Sequence, residues 1–322
     1  MRLVAFGRMK AYAYRKFGGP QRIIEVARAE PKVRRNDVLV QVHSIGLNPL
    51  DSRLRQGQMW PATALSGARL IGSDFSGTVL SVGAGVVDIQ PGERVCGMVN
   101  QFRAGTSAER ISAPRRHLTR TADCLSDSEA AALPLAGLTA FQALRKVREV
   151  MRGEQVLIHG ASGGVGSFAV QLARIAGAHV TAVTSHRNVD WMPELGAHTT
   201  IDYTKQDVRE LPLQLDTFFD CVGHLSFGKT RHLLKRDGTY ITTIPNVRTL
   251  GTSLGNTLRA QKNNVVLVQS RSDHLAMLMD YVTEGLLKPV VERSYLASEI
   301  QEAYAHLDSH RAKGKITVQI GC

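Results

Sequence analysis

The stretch "HGASGGVGS", residues 159–167, follows the apolar run "QVLI" and sets Gly160, Gly163 and Gly166 three residues apart, with Gly164 as an extra. Glycines so spaced between a strand and a helix let backbone approach a pyrophosphate and let the helix pack tightly on the strand. The helix N-terminus then offers free N–H groups and the positive end of its dipole to phosphate. Gly160, Ser162, Gly163, Gly164, Val165 and Gly166 are therefore the candidate phosphate cradle. A lone glycine pattern is also consistent with a tight turn. Here a strand precedes it and the helical "GSFAVQLARIAG" follows, which points to a dinucleotide.

A carboxylate that holds the ribose 2′-hydroxyl of NAD is expected at the end of the second strand, about 20 residues on. The segment there is "AVTSHRN", with no acid between Thr181 and Asn188. Ser185 offers a hydroxyl and Arg187 a planar fork suited to a phosphate dianion. Tyr203, at the end of the third strand, could cover the adenine or donate to the same phosphate. This set favours NADP(H), although without a ligand the same residues make an ordinary basic surface loop.

The elements that must position these residues change character along the chain. Up to about residue 125, short β segments such as "DVLVQVHSIGLN", "GTVLSVGAGV" and "ERVCGMV" are separated by "GGPQ", "QPGE" and "RAGT". The segment "VGAGVVDIQPGERV" predicts a hairpin with Gly85 in its turn and Pro91-Gly92 reversing the chain. "SDSEAAALPLAGLTAFQALRKV" then predicts a helix capped by Ser126 or Asp127. From Gln155, the strands "QVLIH", "HVTAV", "TTIDY", "TFFDCV", "TYITTI" and "VVLVQ" alternate with helix-length segments, the pattern of a doubly wound parallel sheet. Cys221, Val222, Thr243 and Ile244 end such strands, where a parallel sheet binds its ligand. Two further helices, "DHLAMLMDYVTEGLL" and "YLASEIQEAYAHLDS", precede a last strand "GKITVQI" that is expected to rejoin the first domain.

Composition narrows the function classes. A chain of 322 residues with 43% hydrophobic content predicts two soluble domains. No apolar run reaches the roughly 18 residues of a membrane helix, and "MRLVAFGR" lacks the apolar core of a signal peptide. Strand-like "MKAYAY" begins at Met9. Cys96, Cys124, Cys221 and Cys322 stand far apart, which fits a reducing, cytoplasmic setting and argues against a cysteine-built zinc site. The net charge of +12 is scattered through "RKVREVMR", "VRRND" and "APRRH", the pattern of solvated surface rather than a nucleic-acid face. Cys221 has no nearby His in sequence and is read as packing rather than nucleophile; His43 and His159 are read as structural.

The stretches "IGLNPLDSRLRQG", "IGSDFSGTVLSVGAGVVDIQPGERV", "AALPLAGLTAFQAL", "GASGGVGSFAVQLA", "LGAHTTIDY", "DTFFDCVG" and "AKGKITVQI" cover nearly the whole chain. In them the chain resembles the zinc-free quinone oxidoreductase branch of the medium-chain dehydrogenase/reductase superfamily. The resemblance implies an α/β fold with a GroES-like β-rich catalytic domain from residues 1–126 and 272–322. It places a Rossmann dinucleotide-binding domain at 127–271, and implies a homodimer. Zinc relatives keep a Cys where this chain has Asn48 and a His where it has Ser73, and neither replacement is a good zinc ligand. Only Cys96 lies near the family's four-cysteine lobe, so no metal site is expected.

The same resemblance places Asn48 and Thr139 near the nicotinamide and its ribose, and Lys315 near the cofactor. Asn48 is expected to donate an amide N–H, Asp51 to fix its loop, and Arg53 either to attract a substrate oxygen or to face solvent. Without a Lewis acid, the chemistry implied is NADPH-dependent reduction of a quinone or an α,β-unsaturated carbonyl. Reduction of an enoyl thioester is the rival within that class. A non-catalytic NADPH-binding regulator or RNA-associated protein is the rival outside it.

Overall fold

The alternating and continuous apolar runs resolve into two units, each with its own sheet. The computed structural model describes residues 8–59, 68–100, 105–244 and 260–321; residues 1–7 and Cys322 lie outside them. The first unit comprises Met1–Leu135, Ser270–Thr283 and Pro289–Cys322, and the second Ala136–Gln269 and Glu284–Lys288. Residues 127–135, expected in the dinucleotide domain, group with the first unit. There the helix α2 (Asp127–Ala132) packs on β3 (Asp37–Gly46) and β5 (Asp74–Val82).

The first unit is mostly antiparallel. Its larger sheet runs β15 (Val291–Leu296), β16 (Lys315–Gln319), β3, β5, β6 (Arg94–Met98) and β8 (Leu118–Arg120), with β7 (Arg110–Pro114) also on β3. The last strand rejoins the first domain as expected, with Thr317 opposite Gly46 on β3. Val38, Val40, Val42 and Ile45 of β3 pack with Phe75, Val95, Ile316 and Val318 in one core cluster. A small sheet of β1 (Arg8–Tyr14), β2 (Ile24–Ala29) and β4 (Arg69–Leu70) completes the unit. The expected hairpin joins β5 to β6, with Gly92 at φ +90.

The second unit has a six-stranded sheet ordered β11 (Thr199–Asp202), β10 (His179–Thr184), β9 (Gln155–His159), β12 (Leu215–Asp220), β13 (Leu234–Thr242), β14 (Lys262–Val265). Every neighbouring pair is parallel, which is the doubly wound arrangement expected. The strand order reverses between β9 and β12, so their C-terminal ends mark the switch point where such sheets bind ligand.

Local details differ from the sequence reading. The predicted helix after residue 125 breaks at Pro134, which lacks an N–H and starts a second helix, α3 (Pro134–Gln142). Ser126 caps the first, accepting from the Glu129 N–H. The crossover after β10 is two 3₁₀ turns, His186–Trp191 and Pro193–Leu195, ended by Gly196 at φ +100. Only the crossover after β9 carries a long helix among the described residues, α4 (Gly164–Ile175). "VVLVQ" was expected as the sixth strand, but the ladder with β13 runs through Lys262–Val265, and Leu267 lies 65% exposed. Tyr295 and Leu296, expected in a helix, end strand β15.

Candidate active site

The candidate residues form two groups, one in each unit. In the second unit, β9 ends at His159 and Gly160 follows at φ +78, a conformation that L side chains rarely adopt. Gly163 is the N-cap of α4, with no side chain accepting from the first turn. The first intrahelical bond runs from the Ser167 N–H to the Gly163 carbonyl, so the N–H groups of Gly164, Val165 and Gly166 lack helical acceptors. A Cβ on Gly166 would lie 2.2 Å from the Gly160 carbonyl oxygen, which explains why only glycine fits there. Ser162, Gly163, Gly164 and Val165 are all partly accessible around that turn. The donors and the room suit a pyrophosphate.

The floor of this turn is fixed by Asp220. Its fully buried carboxylate lies 2.9 Å from His159 Nδ1 and accepts from the N–H groups of Val222, Gly223 and Leu225 and from the Tyr240 hydroxyl. Burial alone would raise its pKa, but His159 and the backbone N–H groups lower it below the ordinary carboxylate value. The Thr243 hydroxyl bonds the Cys221 carbonyl, and Ile244 fills the space beside Gly223. Cys221, Val222, Thr243 and Ile244 thus stand together at the ends of β12 and β13, as expected of strand-end residues. Burial pushes the Cys221 thiol well up, which suits packing rather than a thiolate. Thr139 is buried on α3.

After β10, Ser185 opens the 3₁₀ turn and Arg187 stands exposed beside it. The Tyr203 N–H bonds the Thr184 carbonyl, and its ring is 56% exposed. Sequence reasoning missed a carboxylate in this loop. Asp202, ending β11, lies 3.3 Å from His186 and 3.9 Å from the Lys205 ammonium. The carboxylate expected of an NAD site ends the second strand, whereas this acid reaches across from the third.

In the first unit, three element ends converge. Asn48 follows β3, Asp74 opens β5 and Lys315 opens β16; all three are buried. The Asn48 carboxamide donates to Asp74 Oδ2 at 2.9 Å and to the Gly46 carbonyl at 3.3 Å. Its oxygen accepts from Lys315 Nζ at 2.5 Å. Lys315 also donates to the Leu47 carbonyl at 2.8 Å and contacts Asp74 Oδ2 at 3.4 Å. The backbone of Asn48 is held by Asp51, which accepts its N–H at 2.9 Å and the Ser73 hydroxyl at 2.7 Å. Burial pushes Asp51 up to about 7 and Asp74 up to about 6, and it lowers Lys315.

The geometry adds to two expectations here. Asn48 was expected to have an amide N–H to give away, yet both of its amide hydrogens meet protein acceptors. Lys315, expected beside the cofactor, sends its ammonium to three acceptors within this unit. Asp51 fixes the start of α1 (Pro49–Arg55), the loop-fixing part expected of it. Arg53 is half-buried on α1, outside the cluster's bonds. Asp74 was missed, although a carboxylate opening the apolar strand "DFSGTVLSV" is a signal, since buried charge needs partners.

The residues do not suit a zinc ion. Where zinc relatives keep thiolate and imidazole, the carboxamide of Asn48 and the hydroxyl of Ser73 are engaged with protein groups, and the Lys315 ammonium already serves as the cation. Among the described residues no group of three His, Cys, Asp or Glu side chains could hold a metal.

Residues 34–123 match the family model of the alcohol dehydrogenase GroES-like domain, and residues 195–318 that of the zinc-binding dehydrogenase. The chain is 31% identical to the chloroplastic quinone-oxidoreductase QR1 of Triphysaria versicolor, covering 97% of this chain and 98% of that protein. It is 30% identical to the chloroplastic NADPH-dependent alkenal/one oxidoreductase of Arabidopsis thaliana, over 96% of this chain and 79% of the relative. The solved quinone oxidoreductase of Coxiella burnetii superposes with a TM-score of 0.89 at 30% identity, covering 98% of this chain and 100% of that one. The chain belongs to the medium-chain dehydrogenase/reductase superfamily, in its quinone oxidoreductase branch.

Proposed function

We propose that this protein is an NADPH-dependent oxidoreductase that reduces a quinone or an α,β-unsaturated carbonyl without zinc. The observation that carries this reading is the Lys315 ammonium, 2.5 Å from Asn48 Oδ1, in the donor set where zinc relatives hold their metal. Alcohol oxidation relies on a Lewis acid to stabilise an alkoxide, whereas an acceptor that is already electron-poor does not. The names of the Triphysaria and Arabidopsis relatives support the acceptor class, and the Arabidopsis name supports the cofactor.

The Gly160–Gly166 turn would hold the pyrophosphate, and Ser185 and Arg187 the 2′-phosphate, with Tyr203 beside them. Thr139, Cys221, Val222, Thr243 and Ile244 would receive the nicotinamide end. When bound, reduced cofactor supplies two electrons and one hydrogen to the acceptor. Asn48 contributes a polar group held at a fixed position; its longer bond, 3.3 Å to the Gly46 carbonyl, is the one exchanged for an acceptor oxygen. Arg53 draws that oxygen in. The second hydrogen arrives as a proton from water. The working form is a homodimer in a reducing compartment, and no helix among the described residues is long and apolar enough to cross a membrane.

The test is NADPH consumption against a panel of quinones, enals and enones after exhaustive chelation, with zinc content measured beside it. Turnover at undiminished rate with no stoichiometric zinc is expected. One zinc per chain, lost together with activity, would sink the proposal.

A further inference from the structure

The cluster around Asn48 has a polarity of its own. A carboxamide looks much the same from either end, so a neighbouring donor and a neighbouring acceptor decide which end carries the N–H groups. Here the donor is Lys315, on the oxygen at 2.5 Å, and the acceptor is Asp74, on the nitrogen at 2.9 Å. They come from different strands, 241 residues apart, and touch each other at 3.4 Å. The main chain is secured separately, by Asp51 on the Asn48 N–H. Lys315 and Asp74 are 4% and 0% exposed, and burying two charges for stability alone is a poor exchange for apolar packing.

We infer that Lys315 and Asp74 are the positioning residues of this site, an ammonium–carboxylate pair that fixes which face of the Asn48 carboxamide donates and which accepts. The inference rests on Asn48 acting on the acceptor, as proposed above. Lys315 and Asp74 touch neither acceptor nor cofactor in this account; they act through Asn48.

Substitution separates positioning from mere charge balance. Lys315→Met leaves Asp74 buried without its cation, so both folding and turnover should suffer. Asp74→Asn/Lys315→Met removes both charges and should recover most of the lost thermal midpoint. In that variant the new amide at position 74 can donate or accept, and Lys315 no longer donates to Asn48 Oδ1, so neither end of the Asn48 carboxamide is assigned. Its kcat/KM for a quinone should therefore stay roughly ten- to hundredfold below wild type, the weight of a hydrogen bond to a charged group. NADPH affinity, read by fluorescence titration, should stay within about threefold. Asp74→Asn alone, close in shape, keeps the Lys315 bond to Asn48 Oδ1, so it should lose kcat/KM only a few fold, and it serves as the second test should the double variant fail to fold.

A double or single variant that turns over at the wild-type rate would overturn the inference, reducing the pair to charge balance. A loss of NADPH affinity that accounts for the rate would overturn it too, moving Lys315 to the cofactor. An inactive wild type would remove the proposed function and this inference together, and that result appears before any variant is made.

Discussion

His186 Nδ1 lies 3.3 Å from Asp202 Oδ2, so the loop after β10 that carries Ser185 and Arg187 meets a carboxylate from the next strand. The Thr204 hydroxyl, 2.6 Å from Asp202 Oδ1, holds that carboxyl below its ordinary pKa, with His186 and Lys205 adding to the effect. It is therefore ionised at neutral pH. An anionic neighbour opposes a second anion, and here the Lys205 ammonium, 3.9 Å away, offsets it. If this loop reads the 2′-phosphate as proposed, cofactor choice should follow the balance of charges around it rather than one arginine.

Arg187→Ala should weaken NADPH by about 1.5–3 kcal/mol, a ten- to hundredfold loss, and hardly touch NADH. Asp202→Asn should do the reverse, tightening NADPH a few fold while leaving NADH nearly unchanged. Parallel titrations of both cofactors decide it. If Arg187→Ala weakens the two equally, that side chain supports the loop rather than reading the 2′-phosphate.

The glycine turn yields a second expectation. A methyl on Gly166 would meet the Gly160 carbonyl oxygen at 2.2 Å, and backbone has to move to admit it. Gly166→Ala should cost about 1–3 kcal/mol of stability, the usual range for overpacking. It should also weaken NADPH and NADH alike, since both share the pyrophosphate. A Gly166→Ala protein with wild-type melting and wild-type affinity would mean that the turn is looser than its geometry implies.

Much of this was legible in sequence, and the limits have physical causes. The strand–glycine–helix order around Gly160 is local, so it can be read directly. Five of the six parallel strands stand out as short runs rich in apolar, aromatic and β-branched residues separated by helix-length segments. Contacts made at long range could not be read the same way. Asp220 lies 61 residues from His159, and Lys315 lies 267 from Asn48; no spacing rule links either pair. The sixth strand was misplaced because Val265–Val268 has the stronger β propensity, while the ladder uses Lys262–Val265.

Buried carboxyls make stability depend on pH in a definite direction. Asp51 is pushed up to about 7 and Asp74 to about 6, so between their ordinary value near 4 and those values the folded chain binds more protons than the unfolded one. Stability should therefore fall as pH rises from about 4 to 7 and level off above that. Asp51→Asn should flatten that decline, and thermal melts in matched buffers would show it. An unchanged slope would assign the dependence to other groups.

The last expectation concerns the reaction itself. Asn48 sits at the end of β3 with its backbone held by Asp51 and its side chain by Asp74 and Lys315. A group so fixed reorganises little when charge develops on an acceptor, which is where preorganised donors matter most. Asn48→Ala should lower kcat/KM for a quinone by roughly a hundredfold and leave NADPH affinity within a few fold. Arg53 is only half-buried and stands outside these bonds, so Arg53→Ala should act through KM with kcat nearly kept. The two variants should thus separate cleanly, one on rate and one on capture. If Asn48→Ala raised KM alone, the cluster would be gathering the acceptor rather than stabilising its transition state, and the case for a preorganised carboxamide would fail.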